Sequence, residues 1–215
     1  MKLLRPVLSL FSSFLLLSCG VLAQPAAVPN IQDLQAPIVQ RAALALARAS
    51  IRQYIANKTT MAVPANCPRA LRGRYGVFVT IEKEGRIAPR GCRGTLQPRY
   101  GSLAEEIIHN AIAACSRDQS EPPLQSEELP HCLISLTVVL KTEPIPDIGR
   151  HDATQNGLIA RQGARIGIVL PYEGHDAQTQ LLWAKRKAGL GDSAPVQLEE
   201  LYAVRFRETH PLSNP

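Results

Sequence analysis

Residues 132–140 read CLISLTVVL, and this stretch decides the fold class. Every second residue is apolar, so the side chains expected on one face of a strand are Cys132, Ile134, Leu136, Val138 and Leu140. Ser135 and Thr137 fall on the opposite face. Because a strand with one apolar face needs a packing partner, we expect a helix to cover that face.

The best candidate for the covering helix spans residues 102–118. Ser102 and Glu105 form a capping box at its start, and the apolar residues after them recur at helical spacing. We predict that three of these apolar residues pack on the strand: Ile107, Ile108 and Ile112.

The rest of the chain mixes hairpins with helices. The other predicted elements are a helix over 39–58, strands over 76–82 and 90–97, a hairpin over 157–161 and 164–170 that turns at Gln162-Gly163, a helix over 176–188 and a strand over 201–207. This order differs from a strict alternation of strand and helix, and it therefore predicts an α+β fold.

The composition is that of a folded protein. The 215 residues are 45% hydrophobic and 20% charged, with a net charge of +6. These values exclude a disordered chain, a collagen-like chain and a multi-pass membrane protein. The length suits one domain with a substantial core.

Residues 1–23 have the layout of a secretory signal peptide, with a basic start and an apolar run too short for a comfortable membrane span. Two cleavage sites compete. A lipobox ending at Cys19, which would be lipidated, is slightly favoured over cleavage before Gln24. Residues 24–36 are rich in Pro and Ala and predict a tether, and residues 37–215 form the expected domain. The predicted location is the cell envelope or periplasm, with a lipid anchor to a membrane through Cys19.

Either cleavage leaves four cysteines in the folded part: Cys67, Cys92, Cys115 and Cys132. Their spacing matches no zinc motif, and we expect neither a metal site nor a cofactor. An oxidising compartment permits disulfides, and the sequence does not choose among the possible pairings.

One segment indicates a functional site: Arg90-Gly91-Cys92-Arg93-Gly94-Thr95. It lies in a basic stretch, because residues 69–99 contain seven arginines and one lysine. Glycines let another group approach the backbone closely, and nearby arginines favour an anion or a thiolate. The segment therefore fits an anion-binding loop or a reactive thiol. The alternative is a buried structural cysteine in a strand.

Around this hexapeptide the chain resembles the AMMECR domain family, named for the Alport syndrome, midface hypoplasia and elliptocytosis chromosomal region. The family has an R-G-C-I-G-T hexapeptide after a G-V-F-V-T strand and a charged turn, which residues 90–95, 76–80 and 82–86 match. Arg93 stands where the family has an aliphatic residue. Further matches follow in order between residues 37 and 208: the L-A-R helix in 44–55, D-x-R-F-P-P-L and E-L-P in 118–130, V-S-V-L-T in 134–142, G-L-I at 157–159, G-x-L-L-P at 167–171 and W…K-A-G-L in 183–190.

The resemblance implies a two-lobed α+β domain with a mainly antiparallel sheet flanked by helices. It implies no particular reaction, because the family has none firmly assigned. It also implies that the hexapeptide is the functional site, and the positions that match the family's residues are Arg90, Gly91, Cys92, Gly94 and Thr95.

Two functions stay open. The favoured one is a binding module that holds an anionic ligand or a protein partner through residues 90–95, since no general base stands at a clear spacing. The alternative is a thiol-dependent enzyme with Cys92 as the nucleophile and His151 as the least unfavourable choice of base. In that case we expect Cys92 in a glycine-lined cleft, free of disulfides, with a thiol pKa lowered by Arg90 and Arg93. Burial in a packed strand would raise that pKa instead. The expected export makes nucleic acid the weakest class of partner.

Overall fold

The computed structural model of the protein describes residues 31–86, 88–118 and 121–210. The expected signal peptide, Cys19 and the first part of the tether lie outside these ranges. The last part of the expected tether is packed, because residues 31–35 form a short helix whose Leu34 is fully buried. None of the helices in the described ranges has the length and apolar character needed to cross a membrane.

The described elements are helices mixed with antiparallel hairpins. In chain order they are α1 (Ile31–Gln35), α2 (Pro37–Asn57), β1 (Val77–Lys83), β2 (Gly91–Gly94), α3 (Leu103–Ser116), β3 (Cys132–Ile145), β4 (Gly157–Gln162), β5 (Arg165–Val169), α4 (Ala177–Lys187) and β6 (Gln197–Arg207). Short 3-10 turns lie at Arg69–Arg72, Leu129–His131 and Ile148–Arg150. Each helix and strand predicted from the sequence is present, with end points that differ by a few residues.

The strands form one sheet of six strands in the order β2-β1-β3-β6-β4-β5, and every neighbouring pair is antiparallel. The last strand of the chain, β6, lies in the middle of the sheet between β3 and β4. The predicted α+β class with a mainly antiparallel sheet is therefore confirmed.

Helices cover one face of this curled sheet, here called the outer face, at its two ends. At one end α2 and α3 bury a large apolar cluster against β1, β3 and β6 that includes Ile107, Ile108, Ile112, Ile134, Leu136 and Val138. At the other end α4 packs on Leu158 and Ala160 of β4. These are the two lobes, and the predicted packing of α3 on β3 is confirmed.

The prediction for Leu140 is wrong. A β-bulge shifts the pairing of β3 with β6 between Val139 and Lys141, so the alternation of side chains breaks there. Val139 is buried in a small apolar cluster on the opposite, inner face of the sheet, and Leu140 is only partly buried.

Candidate functional site

The inner face of the sheet carries a cleft of about 870 Å³. Its walls are the turn after β1, residues 130–131, the loop 170–173 and residues 209–210. Its floor includes Thr80 and Glu82 of β1, Ser135 and Thr137 of β3, and Arg205 and Arg207 of β6.

Strand register brings the floor residues together. Thr80 lies opposite Ser135, and Ser135 lies opposite Arg207. In the next row Thr137 lies opposite Arg205. Residues paired across strands share a face, so the hydroxyl groups and guanidinium groups all face the cleft.

Glu82 holds both arginines of the floor. Arg205 Nη2 donates to Glu82 Oε1 at 2.5 Å, and Arg207 Nε donates to Glu82 Oε2 at 2.8 Å. Burial by itself raises the pKa of Glu82, but hydrogen bonds from Arg207 and Ser135 and the charges of both arginines hold this pKa below its usual value. Glu82 is therefore an ionised carboxylate that fixes two guanidinium groups beside each other.

Arg205 keeps donors for a further partner. Among the described residues its hydrogen bonds run only from Nη2, to Glu82 and, at 3.4 Å, to Ser135 Oγ. Its side chain is 28% exposed. Because a guanidinium has five N–H donors, the Nε–H and the Nη1 amino group of Arg205 are left as separate donors for the oxygens of a carboxylate or a phosphate.

Thr137 provides a hydroxyl at the bottom of the cleft. The residue is only 3% exposed, and its side chain makes no hydrogen bond within residues 31–86, 88–118 and 121–210. No buried side-chain nitrogen or oxygen of the described residues lacks a hydrogen-bond partner, so the hydroxyl of Thr137 is open to the cleft that the residue lines. The Thr137 hydroxyl next to Arg205 is therefore placed to bond with a molecule in the cleft.

Tyr172 forms part of the cleft wall in an unusual conformation. It is 57% exposed and has a positive φ of 75°, which is disfavoured for a bulky residue. The guanidinium carbon of Arg205 lies 5.3 Å from the centre of its ring. Glu173 fixes the loop, since its carboxylate accepts hydrogen bonds from Leu170 N at 2.9 Å and Lys187 Nζ at 2.6 Å.

Arg90 is used inside the protein. It is 5% exposed, and its guanidinium donates to both carboxylate oxygens of Glu128, at 2.9 and 2.8 Å, and to Pro122 O at 3.0 Å. The hydrogen bonds from Arg90 to the Glu128 carboxylate are the main cause that lowers the pKa of Glu128 to about 2. Arg90 therefore links the hexapeptide to the segment before β3.

The glycines of the hexapeptide make room for the protein itself. A Cβ on Gly91 would lie 2.3 Å from Ala114 O of α3, and a Cβ on Gly94 would lie 2.4 Å from the Phe78 ring. The groups that approach these glycines closely are thus the C-terminal part of α3 and an aromatic side chain of β1.

Cys92 lies opposite Thr80, at the edge of the floor. Its Sγ is 3.3 Å from Thr80 Oγ1, and its N–H donates to Asp118 Oδ2 at 2.8 Å. Cys92 is a free thiol in this structure, and so are Cys67, Cys115 and Cys132.

The expectation of a lowered pKa for Cys92 is wrong. Burial raises the pKa of its thiol, the Thr80 hydrogen bond lowers it in part, and the nearby charge of Glu173 raises it. The two arginines do not reach the sulfur, because Arg90 binds Glu128 and Arg93 donates to Arg117 O at 3.0 and 2.6 Å.

Two other candidates from the sequence lie away from the cleft. Thr95 is buried, and its hydroxyl donates to Glu106 Oε2 at 3.1 Å. His151 is buried at the other lobe, with Nδ1 3.1 Å from Glu200 Oε1 and Nε2 2.8 Å from Gln180 Oε1. Glu200, which contacts His151, lies roughly 23 Å from Arg207 along β6, at about 3.3 Å per residue. Arg207 lies in the same row across the sheet as Ser135, Thr80 and Cys92. His151 is therefore too distant to act as a base for Cys92.

The residues that form the cleft floor were largely missed by the sequence analysis. The signal was present in the alternation of β3, which assigns Ser135 and Thr137 to the face opposite the core, and in the spacing of Arg205 and Arg207 two residues apart on β6. In the ranges that the structure describes, no three His, Cys, Asp or Glu side chains lie close enough together to hold a metal ion.

Fold and cleft together define a class of α+β protein with helices on the outer face of a curled antiparallel sheet and a polar cleft on its inner face. The sequence profile of the AMMECR1 family matches residues 44–210, and the chain belongs to this family. A protein of Thermofilum pendens is 37% identical over 193 residues, covering 77% of this chain and 88% of that protein. A protein of Thermotoga maritima is 37% identical over 144 residues, covering 65% of this chain and 82% of the relative.

A solved structure has the same fold. The crystal structure of an uncharacterised protein from Pyrococcus horikoshii superposes with a TM-score of 0.75 at 27% sequence identity, over 81% of this chain and 93% of that one.

Proposed function

We propose that the protein is a binding module for a small anionic ligand, and that the ligand occupies the inner-face cleft. The observation that carries this proposal is the juxtaposition of unused donors at its floor. Arg205, with its Nε–H and Nη1 donors unused, and Thr137, with its hydroxyl, lie in paired positions across β3 and β6. An oxyanion between them would satisfy both groups at once.

Glu82 supports this function by positioning the arginines before a ligand arrives. Its carboxylate accepts hydrogen bonds from Arg205 and Arg207, so neither guanidinium has to be ordered by the ligand. Preorganised donors bind more tightly because less conformational entropy is lost on binding.

In this proposal the hexapeptide supports the floor of the cleft. Arg90 is bound to Glu128, and the two glycines are packed against α3 and Phe78. Cys92 contacts the floor through Thr80. We infer that residues 90–95 fix the position of β1 and so act on the ligand indirectly.

The alternative of a thiol-dependent enzyme has weaker support. A reactive cysteine requires a thiolate, and burial raises the pKa of Cys92. A nucleophile also requires a base within hydrogen-bond reach. His151 lies at the other lobe, where Glu200 and Gln180 contact both of its ring nitrogens.

Calorimetric titration with inorganic phosphate and with acetate tests the binding proposal. We expect Arg205→Gln to weaken binding of the preferred anion tenfold or more, since a hydrogen bond to a charged group contributes about 1.5–3 kcal/mol. Arg165→Gln is the matched control, because Arg165 is an exposed arginine on β5 outside the cleft. Equal affinity in these two variants, or no binding of either anion, would refute the proposal.

Thr137→Val separates a ligand contact from a structural role. The hydroxyl has no partner among the described residues, so its removal should leave the free energy of unfolding unchanged or raise it, while anion binding weakens. A loss of stability without a loss of affinity would assign Thr137 to the fold.

We also propose that the protein is exported and lipidated at Cys19. The support is the sequence of residues 1–23 alone, with its basic start, apolar run and lipobox-like end. The intact mass of the membrane fraction tests it. A product that begins at Gln24 would refute the lipid anchor and keep export.

A further inference from the structure

We propose that the ligand of the inner-face cleft is an aromatic oxyanion, whose ring stacks on Tyr172 while its charged group binds Arg205. This inference rests on the proposed function and specifies the chemical class of the ligand. Tyr172 lies outside the hexapeptide and outside the segments next to it in the sequence.

Tyr172 is exposed at a position where a tyrosine is disfavoured. Large aromatic side chains tend to be buried, and this one is 57% exposed on the wall of a polar cleft. Its φ of 75° costs free energy that a glycine would avoid. Among the described residues, the other positive φ outside glycine belongs to Lys58, which ends α2. Lys58 ends a helix, and Tyr172 is the third residue of the hydrogen-bonded turn Leu170–Glu173, after Pro171, where a positive φ normally selects glycine or asparagine.

Hydrogen bonds hold the loop 170–173 in this conformation. Glu173 accepts a hydrogen bond from Leu170 N through its carboxylate, and its own N–H donates to Leu170 O at 3.1 Å. Lys187 of α4 fixes the same carboxylate. The ring of Tyr172 is thus presented to the cleft by a closed loop that is anchored at α4.

Tyr172 and Arg205 lie next to each other in the cleft. The guanidinium carbon of Arg205 lies 5.3 Å from the ring centre, and the Nε–H and Nη1 donors of Arg205 are unused at the floor. Because Arg205 and Tyr172 both line the cleft, a ligand that binds the free donors of Arg205 lies close to the tyrosine ring. Flat aromatic groups gain from stacking on tyrosine beyond the area that they bury, whereas saturated rings do not.

Matched pairs of probes test this inference. Phenyl phosphate is compared with cyclohexyl phosphate, and benzoate with cyclohexanecarboxylate, by calorimetric titration of the intact protein. We expect the aromatic member of the pair with the preferred anion to bind about three- to tenfold more tightly. The preference should persist in Tyr172→Phe and disappear in Tyr172→Leu. Tyr100→Leu, at an exposed tyrosine outside the cleft, should keep it.

The outcomes distinguish this inference from the proposed function. If both members of each pair bind equally and depend on Arg205, the aromatic specificity is refuted and the anion site remains. The same holds if Tyr172→Leu, folded as judged by its melting temperature, keeps the preference. If no probe binds in a manner that depends on Arg205, the proposed function fails and this inference fails with it.

Discussion

Cys92 shows how the surroundings of one residue decide its chemistry. Sequence neighbours suggested a thiolate between two arginines, but a strand sends successive side chains to opposite faces. Arg93 therefore points away from the sulfur and bonds to Arg117 O, and Arg90 reaches Glu128. The sulfur is left beside Thr80 on the inner face.

We predict that Cys92 reacts slowly with a small alkylating reagent at neutral pH. Its labelling should accelerate only above the usual pH range of a thiol, because burial raises its pKa. Peptide mass spectrometry of the native protein measures the rate at each pH, with Cys92→Ser as the control. Rapid labelling of Cys92 under mildly acidic conditions would contradict the prediction.

The pair formed by Arg90 and Glu128 predicts a loss of stability in acid. The pKa of Glu128 is about 2 in the folded protein and 4.5 without its partners, so its contribution is complete above pH 4.5 and disappears as the pH falls toward 2. Urea unfolding of the wild type and of Glu128→Gln measures this effect. As the pH is lowered from 4.5 toward 2, the free energy of unfolding should fall less steeply in Glu128→Gln than in the wild type. Equal slopes would contradict the assignment.

At the scale of elements, β2 is a four-residue edge strand, and α3 packs directly on its backbone at Gly91. Gly91 permits this contact, since a side chain there would meet Ala114 O. The motif residue that the sequence analysis assigned to ligand access is thus needed for the packing of a helix on a strand.

Gly91→Ala should destabilise the protein by about 1–3 kcal/mol, the typical cost of overpacking a well-packed site. Gly191→Ala is the matched control, because no atom lies within 4 Å of its Cβ position. Thermal and urea unfolding compare the two variants. Equal stability would show that β2 and α3 can separate without cost.

The elements themselves could be predicted because their signals are local. Alternation in β3 and the capping box of α3 depend on residues close in sequence, and Ser102 Oγ does accept a hydrogen bond from Glu105 N. The bulge at Leu140 could not be predicted, because it depends on how β3 pairs with β6, which lies far along the chain. The predicted turn at Gln162-Gly163 is shifted by one residue, since Gln162 pairs with Arg165.

At the scale of the whole molecule, the cleft exists because the last strand of the chain enters the middle of the sheet. Glu82 of β1 meets Arg205 and Arg207 of β6 across separations of 123 and 125 residues. No local pattern encodes such a meeting. The sequence could therefore indicate the hexapeptide, whose residues are contiguous, but it could not indicate the floor that three distant strands assemble.

A buried ion pair also fixes the end of β6 to helix α2. Arg48 of α2 donates to Glu208, just after β6, from Nε at 2.8 Å and from Nη2 at 2.5 Å. Arg48 also donates to Leu129 O at 3.0 Å and to Cys132 O at 2.7 Å, and Glu208 accepts from Ile134 N. One arginine thus joins the first long helix, the start of β3 and the end of β6.

We predict that Arg48→Met costs about 3–5 kcal/mol of stability, because it leaves the carboxylate of Glu208 buried without its partner. Glu208→Gln should also destabilise, and the double variant should lose clearly less than the sum of the two single losses, because its buried groups are no longer charged. Urea unfolding of the four proteins completes the cycle. An exposed pair provides the control: Lys141→Met should change stability by less than about 1 kcal/mol, since surface ion pairs contribute little. Additive losses at Arg48 and Glu208 would mean that the two residues stabilise the fold independently. The contact between α2 and the end of β6 would then rely on apolar packing alone.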